Sequence, residues 1–147
     1  MSISELISAD LITLDLKAQK AEEAMAELAA LLVKSGAVSD VDVYLDAVKA
    51  REALGTTAVG FGVAIPHGKS AGVARAAVAF GRAPAGLQWE SLDDEPVRMV
   101  FLIAAPEGAD NVHLKALAQL ARLLMHEEVR QRLLAANNAT EVLGALN

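Results

Sequence analysis

Residues 60–68 read Gly-Phe-Gly-Val-Ala-Ile-Pro-His-Gly and place a histidine directly after an apolar run near the middle of the chain. Pro66 fixes its own φ and biases Ile65 toward an extended conformation, so the strand is held straight up to His67 and is released at Gly68. This pattern indicates an imidazole presented on a rigid support, as functional groups require. The alternative is a loop histidine after a strand end, with the glycines as ordinary turn residues.

The segments on both sides of this stretch predict alternating helices and strands. Apolar residues three and four apart predict helices over 18–34, over 41 to about 51 or 54 with Asp40 as N-cap, from Asp110 or Asn111 through 124, over 127–136 and over 140–146. β-branched or apolar runs predict strands over 56–65, 76–81 and 97–105, with a short strand over 11–16 and a polar loop over 84–96. The order predicts an α/β fold, a single domain with a mixed β-sheet covered by helices on both faces.

Composition narrows the class of protein. The 147 residues suit one domain spanning 1–147, and a hydrophobic fraction of 54% with 22% charged residues excludes disorder. A net charge of −6 disfavours nucleic acid and anionic lipid, and an aromatic content of 3% disfavours base stacking. The chain has no cysteine, and its N-terminus shows neither a signal peptide nor a membrane span, so a cytoplasmic protein is expected.

Histidine is the natural nucleophile candidate in a chain without cysteine. Of the three histidines, His67 has the most informative surroundings, and His126 is assigned no role. His113 lies in the first turn of a predicted helix, where the helix dipole disfavours a protonated imidazole and free N–H groups could receive a phosphate. The alternative for His113 is a residue that only packs against the helix start or caps it.

Two further residues could bind phosphate oxygens. Arg51 could place a planar guanidinium on them, although a solvated arginine at a helix C-terminus is the alternative. Thr57 could donate its hydroxyl hydrogen, or could be an ordinary strand residue. The sequence contains no nucleotide-binding or metalloprotease motif and no cluster of acids and histidines with metal spacing, so neither a metal nor a cofactor is expected.

The stretch also carries a family resemblance. Glu52, Val59-Gly60, Val63-Ala64-Ile65-Pro66-His67 and Gly68 follow one another at the spacing of the fructose/mannitol-type IIA components of the bacterial phosphoenolpyruvate-dependent sugar phosphotransferase system. The likeness extends over essentially the whole chain, including residues 87–89, 92–97 and 113–117. Ala58 and Asp94 stand where glycine is common in the family.

This resemblance implies a phosphocarrier in which His67 accepts a phosphoryl group from phosphorylated HPr and passes it to a IIB component. It implies that His113 and Arg51 support the phosphoryl group, with Thr57 as a further donor, and that Nε2 of His67 is the reactive nitrogen. It further implies no direct membrane insertion, but association with a membrane IIC component through IIB.

Three functions stay open on the sequence. Uptake of fructose, mannitol or a related sugar is favoured over a nitrogen-type IIA protein that regulates other proteins according to its phosphorylation. A binding domain without phosphotransfer is disfavoured because His67, His113 and Arg51 are all present.

Overall fold

The computed structural model describes residues 2–108 and 111–147. The helices in these ranges are α1 (Ile3–Leu6), α2 (Ala21–Lys34), α3 (Val41–Ala53), α4 (Val112–Leu124), α5 (Glu127–Ala135) and α6 (Ala139–Leu146), with a 3₁₀ turn at Ala9–Leu11. The strands are β1 (Ile12–Thr13), β2 (Ala58–Gly60), β3 (Val63–Ala64), β4 (His67–Ser70), β5 (Ala77–Leu87) and β6 (Val97–Pro106). No helix in the described ranges is both long and apolar enough to cross a bilayer.

Strand β6 is the centre of a mixed sheet. Its neighbour on one side is the antiparallel strand β5, with Phe80 opposite Phe101, and β1 lies parallel to β5 beyond it. On its other side β6 pairs in parallel first with β3 and then with β4. Strand β2 completes the sheet as the antiparallel partner of β3. The predicted mixed α/β sheet is confirmed.

Helices cover both faces of this sheet. Successive side chains of a strand point to opposite faces, and every residue of β6 from Met99 to Ala105 is buried, so water reaches neither face there. Helices α2 and α3 contact each other and pack on β5 and β4, respectively. Helix α4 packs on β6 and belongs to a second group with α1, α5 and α6. The sheet therefore forms the middle of the layered domain that the sequence predicts.

The predicted strand over 56–65 is instead a hairpin of the two short strands β2 and β3. The chain reverses at Phe61 and Gly62, whose φ angles are 58° and 75°. A positive φ is unusual for phenylalanine. The carboxylate of Asp93 holds the turn in place because it accepts a hydrogen bond of 2.9 Å from the Phe61 backbone N–H.

Other element boundaries differ by a few residues. Strand β5 continues to Leu87 and takes up the start of the predicted 84–96 loop, because Leu87 still pairs with Val97 of β6. Asp40 caps α3 as predicted, with its side chain accepting from the Val43 N–H at 3.2 Å. Asn111 precedes α4 without a side-chain capping bond, and Asp110 lies outside the described residues. The four-residue helix α1 is too short to give a periodic signal.

Candidate functional site

His67 is the first residue of β4, where it pairs in register with Ile103 of β6. Its ring Nδ1 lies 3.0 Å from the Ile65 carbonyl oxygen. A carbonyl can only accept a hydrogen bond, so in the neutral ring Nδ1 carries the proton and Nε2 keeps its lone pair. The structure thus supplies a partner for Nδ1 that the sequence does not identify, and in the neutral ring the lone pair lies on Nε2.

His67 is more buried than the sequence predicts, with 7% of its surface exposed. The chain does not leave the sheet after Pro66, because the Pro66 carbonyl accepts from the Ile103 N–H at 3.0 Å. Nor does the strand end at Gly68, which pairs with Ala104 of β6. A Cβ at Gly68 would lie 2.9 Å from Cγ2 of Val48, so this glycine lets α3 approach β4 closely.

His113 lies beside His67. The two ring centroids are 6.1 Å apart, with 36° between the ring planes. Burial, followed by the positive charges of His67 and Lys69, lowers the pKa of His113, so its neutral form is favoured. The sequence also predicts a lowered pKa for His113, but it attributes the shift to the helix dipole, whereas the main cause in the structure is burial. Within the described ranges, Nδ1 of His113 is the one buried side-chain nitrogen or oxygen without a hydrogen-bond partner.

Glu52, in the last turn of α3, joins three segments through one carboxylate. It accepts from the Thr57 backbone N–H at 3.0 Å, from the Thr57 hydroxyl at 2.6 Å and from the indole N–H of Trp89 at 3.1 Å. Thr57, which is buried, then accepts at its carbonyl from the Ile65 N–H at 3.0 Å. The segment that delivers His67 is therefore tied to the end of α3.

Arg51 and Thr57 have other partners than the histidine pair. The Arg51 guanidinium donates to the Gly55 carbonyl at 2.8 Å, across the end of α3. The Thr57 hydroxyl gives its hydrogen to Glu52. In the described part of the chain neither side chain forms a hydrogen bond with His67 or His113, so their contact with a phosphoryl group stays a prediction.

Sequence reasoning assigned no role to Glu52, Trp89 or Lys69. Two signals marked Glu52: it begins the family pattern that ends at Gly68, and a carboxylate in the last turn of a helix is disfavoured by the negative end of the helix dipole. Lys69 follows His67 by two residues, which places both side chains on the same face of β4. Within residues 2–108 and 111–147, no three histidine, aspartate or glutamate side chains gather as a metal-binding group.

An apolar groove of about 200 Å³ lies between the β2–β3 hairpin and α4. Ile65, whose carbonyl holds the His67 ring, lines it together with Phe61 and Met125. Phe61 is 65% exposed and packs under the Arg130 guanidinium, whose central carbon lies 4.4 Å from the ring centroid. An exposed apolar surface therefore lies next to the segment that carries His67.

The family model "Phosphoenolpyruvate-dependent sugar phosphotransferase system, EIIA 2" matches residues 5–147. The chain belongs to this EIIA family. The family predicted from the His67 stretch is therefore confirmed. EIIA components pass phosphoryl groups through a histidine, so this EIIA chain is a phosphotransferase component.

Two relatives with curated names are fructose-specific components. The chain is 42% identical over 147 residues to the fructose-specific EIIABC component of Bacillus subtilis, all of the chain matching 23% of that longer protein. It is 40% identical over 144 residues to the fructose-specific EIIA component of Haloferax volcanii, covering 98% of this chain and 94% of that one. The chain thus spans about a quarter of the first relative and nearly all of the second.

Solved structures agree with this assignment. The nitrogen regulatory protein IIA-Ntr of Neisseria meningitidis superposes with a TM-score of 0.89, at 34% identity over 99% of both chains. The Escherichia coli complex of IIAMtl with phosphorylated IIBMtl gives a TM-score of 0.82 at 32% identity, over 95% of this chain and 96% of that one. The EIIA fold is thus shared by a nitrogen regulatory protein and by an enzyme IIA solved in complex with its phosphorylated enzyme IIB.

Proposed function

We propose that His67 of this EIIA chain accepts a phosphoryl group from phosphorylated HPr and passes it to a IIB component during phosphoenolpyruvate-dependent sugar uptake. The observation that carries the proposal is the hydrogen bond from Nδ1 to the Ile65 carbonyl, which leaves Nε2 nucleophilic beside His113. The fructose-specific names of two relatives support fructose or a related sugar. The solved complex of IIAMtl with phosphorylated IIBMtl supports a IIB component as the acceptor. Association with a membrane IIC component then occurs through IIB in the cytoplasm.

The chemical step needs placement and charge stabilisation. The Nε2 lone pair of His67 attacks phosphorus in line, and a P–N bond forms as the bond to the donor nitrogen breaks, with that nitrogen keeping the electron pair. Proximity and preorganised donors supply most of the acceleration of such a transfer. The neutral ring of His113 still has one N–H, which can donate to a phosphoryl oxygen.

Labelling with phosphoenolpyruvate, enzyme I and HPr tests the acceptor site. Mass spectrometry should find one acid-labile phosphoryl group on the chain and none on His67→Ala. His113→Ala should still be labelled but should transfer more slowly to IIB, because a donor to the phosphoryl oxygens is missing. His126→Ala, at the exposed third histidine, is the matched control and should behave as wild type. Full labelling of His67→Ala would refute the site.

The roles of Arg51 and Thr57 need separate variants. If Arg51 turns from Gly55 toward a phosphoryl group, Arg51→Gln should slow labelling about a hundred- to a thousandfold, the range for removal of one oxyanion donor. Thr57→Val keeps the shape of the side chain and removes its hydroxyl. Equal labelling rates for a variant and wild type would remove that residue from the phosphoryl site.

Nitrogen-type regulation is the second candidate, favoured by the similarity to IIA-Ntr of Neisseria meningitidis. Transfer from the phosphorylated chain to a fructose-type IIB component separates the two functions. Rapid transfer supports sugar uptake. A chain that keeps its phosphoryl group in the presence of IIB, and changes its binding to another protein when phosphorylated, supports regulation.

A further inference from the structure

Glu52 is an anion in an unfavourable place. It lies in the last turn of α3, where the helix dipole disfavours negative charge. No salt bridge in the described ranges involves Glu52, and its three donors are the neutral N–H and O–H groups of Thr57 and Trp89. Hydrogen bonds to a charged group are stronger than neutral ones, so these three bonds hold their donors firmly.

Hydrogen bonds lead without a gap from Glu52 to the His67 ring. Thr57 donates twice to the carboxylate, at 3.0 and 2.6 Å. The Thr57 carbonyl accepts from the Ile65 N–H at 3.0 Å, and the Ile65 carbonyl lies 3.0 Å from Nδ1 of His67. Each donor in this series points toward Glu52.

The series fixes the place of one carbonyl oxygen. Ile65 is tied on its N–H side to Thr57, and the next residue, Pro66, is tied through its carbonyl to the Ile103 N–H at 3.0 Å. The peptide group between Ile65 and Pro66 is thus anchored at both ends. The Ile65 carbonyl oxygen decides which nitrogen of His67 carries the proton. It can only accept a hydrogen bond, so Nδ1 is protonated, and in the neutral ring Nε2 is then unprotonated.

We infer that Glu52 is a positioning residue that acts through Thr57 and Ile65 to hold His67 in the Nδ1–H tautomer, with Nε2 free to react. Glu52 touches no reacting atom in this role. The inference deepens the proposed function and rests on it only for the consequence in phosphoryl transfer. The tautomer of the unphosphorylated ring can be measured independently.

Four Glu variants test the inference. Glu52→Ala removes all three bonds, and Glu52→Asp keeps the charge but shortens the reach by one methylene. Glu52→Gln keeps an oxygen for the Thr57 and Trp89 N–H groups, while its amide can donate to the Thr57 hydroxyl. Glu22→Gln is the matched control, because Glu22 is exposed and lines the same surface pocket as Glu52.

The first readout is the ¹⁵N NMR spectrum of the His67 ring in the unphosphorylated protein. Wild type, Glu52→Gln and the control should show protonated Nδ1 and unprotonated Nε2, whereas Glu52→Ala and Glu52→Asp should show a mixture of tautomers. The second is the fluorescence of Trp89, the only tryptophan, which should change in the Ala and Asp variants. The third is the labelling rate, expected to fall about ten- to a hundredfold in those two variants, the scale for a misplaced reacting group.

The outcomes separate the two proposals. An unchanged tautomer in folded Glu52→Ala, confirmed as folded by circular dichroism, overturns the positioning role. If that variant does not fold, an unchanged tautomer in Glu52→Asp overturns it equally. Slow labelling of both Ala and Gln variants with a wild-type tautomer also overturns it, because the charge would then act directly. A shifted tautomer in a protein that HPr never labels supports the positioning role and refutes the proposed function.

Discussion

Replacing Tyr44 by phenylalanine removes one buried hydroxyl directly behind the strand that carries His67. Tyr44 is fully buried, and its hydroxyl donates to the Ile103 carbonyl at 2.8 Å. Ile103 is the register partner of His67 in the sheet. Loss of this bond leaves a buried acceptor with one partner fewer, which costs about 1–2 kcal/mol. For a chain of this length, the melting temperature should fall by about 2–8 °C.

The pH dependence of this difference gives a sharper test. Burial raises the pKa of Tyr44 well above its ordinary value of 10.0. The folded protein therefore keeps the phenolic proton where the unfolded chain releases it. The contribution of Tyr44 to stability is complete below about pH 10 and is lost at about 1.4 kcal/mol per pH unit above it. Near pH 11 this loss is about as large as the free energy of the hydrogen bond. Wild type should therefore no longer be more stable than Tyr44→Phe at that pH.

Urea unfolding of both proteins between neutral and alkaline pH measures the difference in free energy of unfolding. Because Tyr44 is the only tyrosine, tyrosinate absorbance reports on this one side chain. It should rise together with the loss of the circular dichroism signal. Tyrosinate that forms near pH 10 in a protein that is still folded would refute the burial argument, as would a stability difference that is constant with pH.

Three other measurements test the packing of α3 on β4, the bonds of Arg82 to the end of α5 and the charge at His113. Gly68→Ala should lose about 1–3 kcal/mol of stability because its Cβ meets Val48, while Gly108→Ala, which faces open space, should lose less than about 0.5 kcal/mol; equal unfolding curves would contradict the close approach of α3. Arg82→Ala should lower the free energy of unfolding, measured with urea, by about 2–3 kcal/mol, because the Arg82 guanidinium donates to three carbonyls at the end of α5. Wild-type stability of this variant would show that these bonds do not stabilise the fold. The pKa of His113 is lowered in the free protein and should rise when His67 carries a phosphoryl dianion, as an NMR titration before and after phosphorylation would show; an unchanged pKa would place the phosphoryl group away from His113.

Local sequence predicts those elements in which a pattern of apolar residues repeats over several turns, or in which nearly all residues are apolar. Strand β6 is almost wholly apolar, and α2 repeats its apolar residues at helical spacing, so both can be predicted. The β2–β3 hairpin cannot, because strands of three and two residues carry no period. Its turn at Phe61 depends on Asp93, which lies 32 residues away in the chain.

The same distinction holds for the site. The sequence singles out His67 by Pro66 and His113 by the start of a leucine-rich helix, and the structure places the two rings side by side, while their part in phosphoryl transfer stays a prediction. The hydrogen bonds of Glu52 cannot be predicted from the sequence, since one of its donors, Trp89, is 37 residues away. Gly68 was misinterpreted for a related reason, because its close neighbour Val48 comes from a different element.

If His67 is the phosphoryl acceptor that we propose, its burial constrains how a partner protein reaches it. Nδ1 is held by the Ile65 carbonyl, so Nε2 lies on the opposite side of the ring, and only 7% of the whole residue is exposed. In-line transfer needs access to that single nitrogen atom and not to the whole ring. A largely dry surrounding also strengthens every hydrogen bond to the phosphoryl oxygens and keeps water from the P–N bond. We therefore expect the partner to bring its own reacting side chain up to Nε2, while the ring itself keeps the orientation that the Ile65 carbonyl gives it.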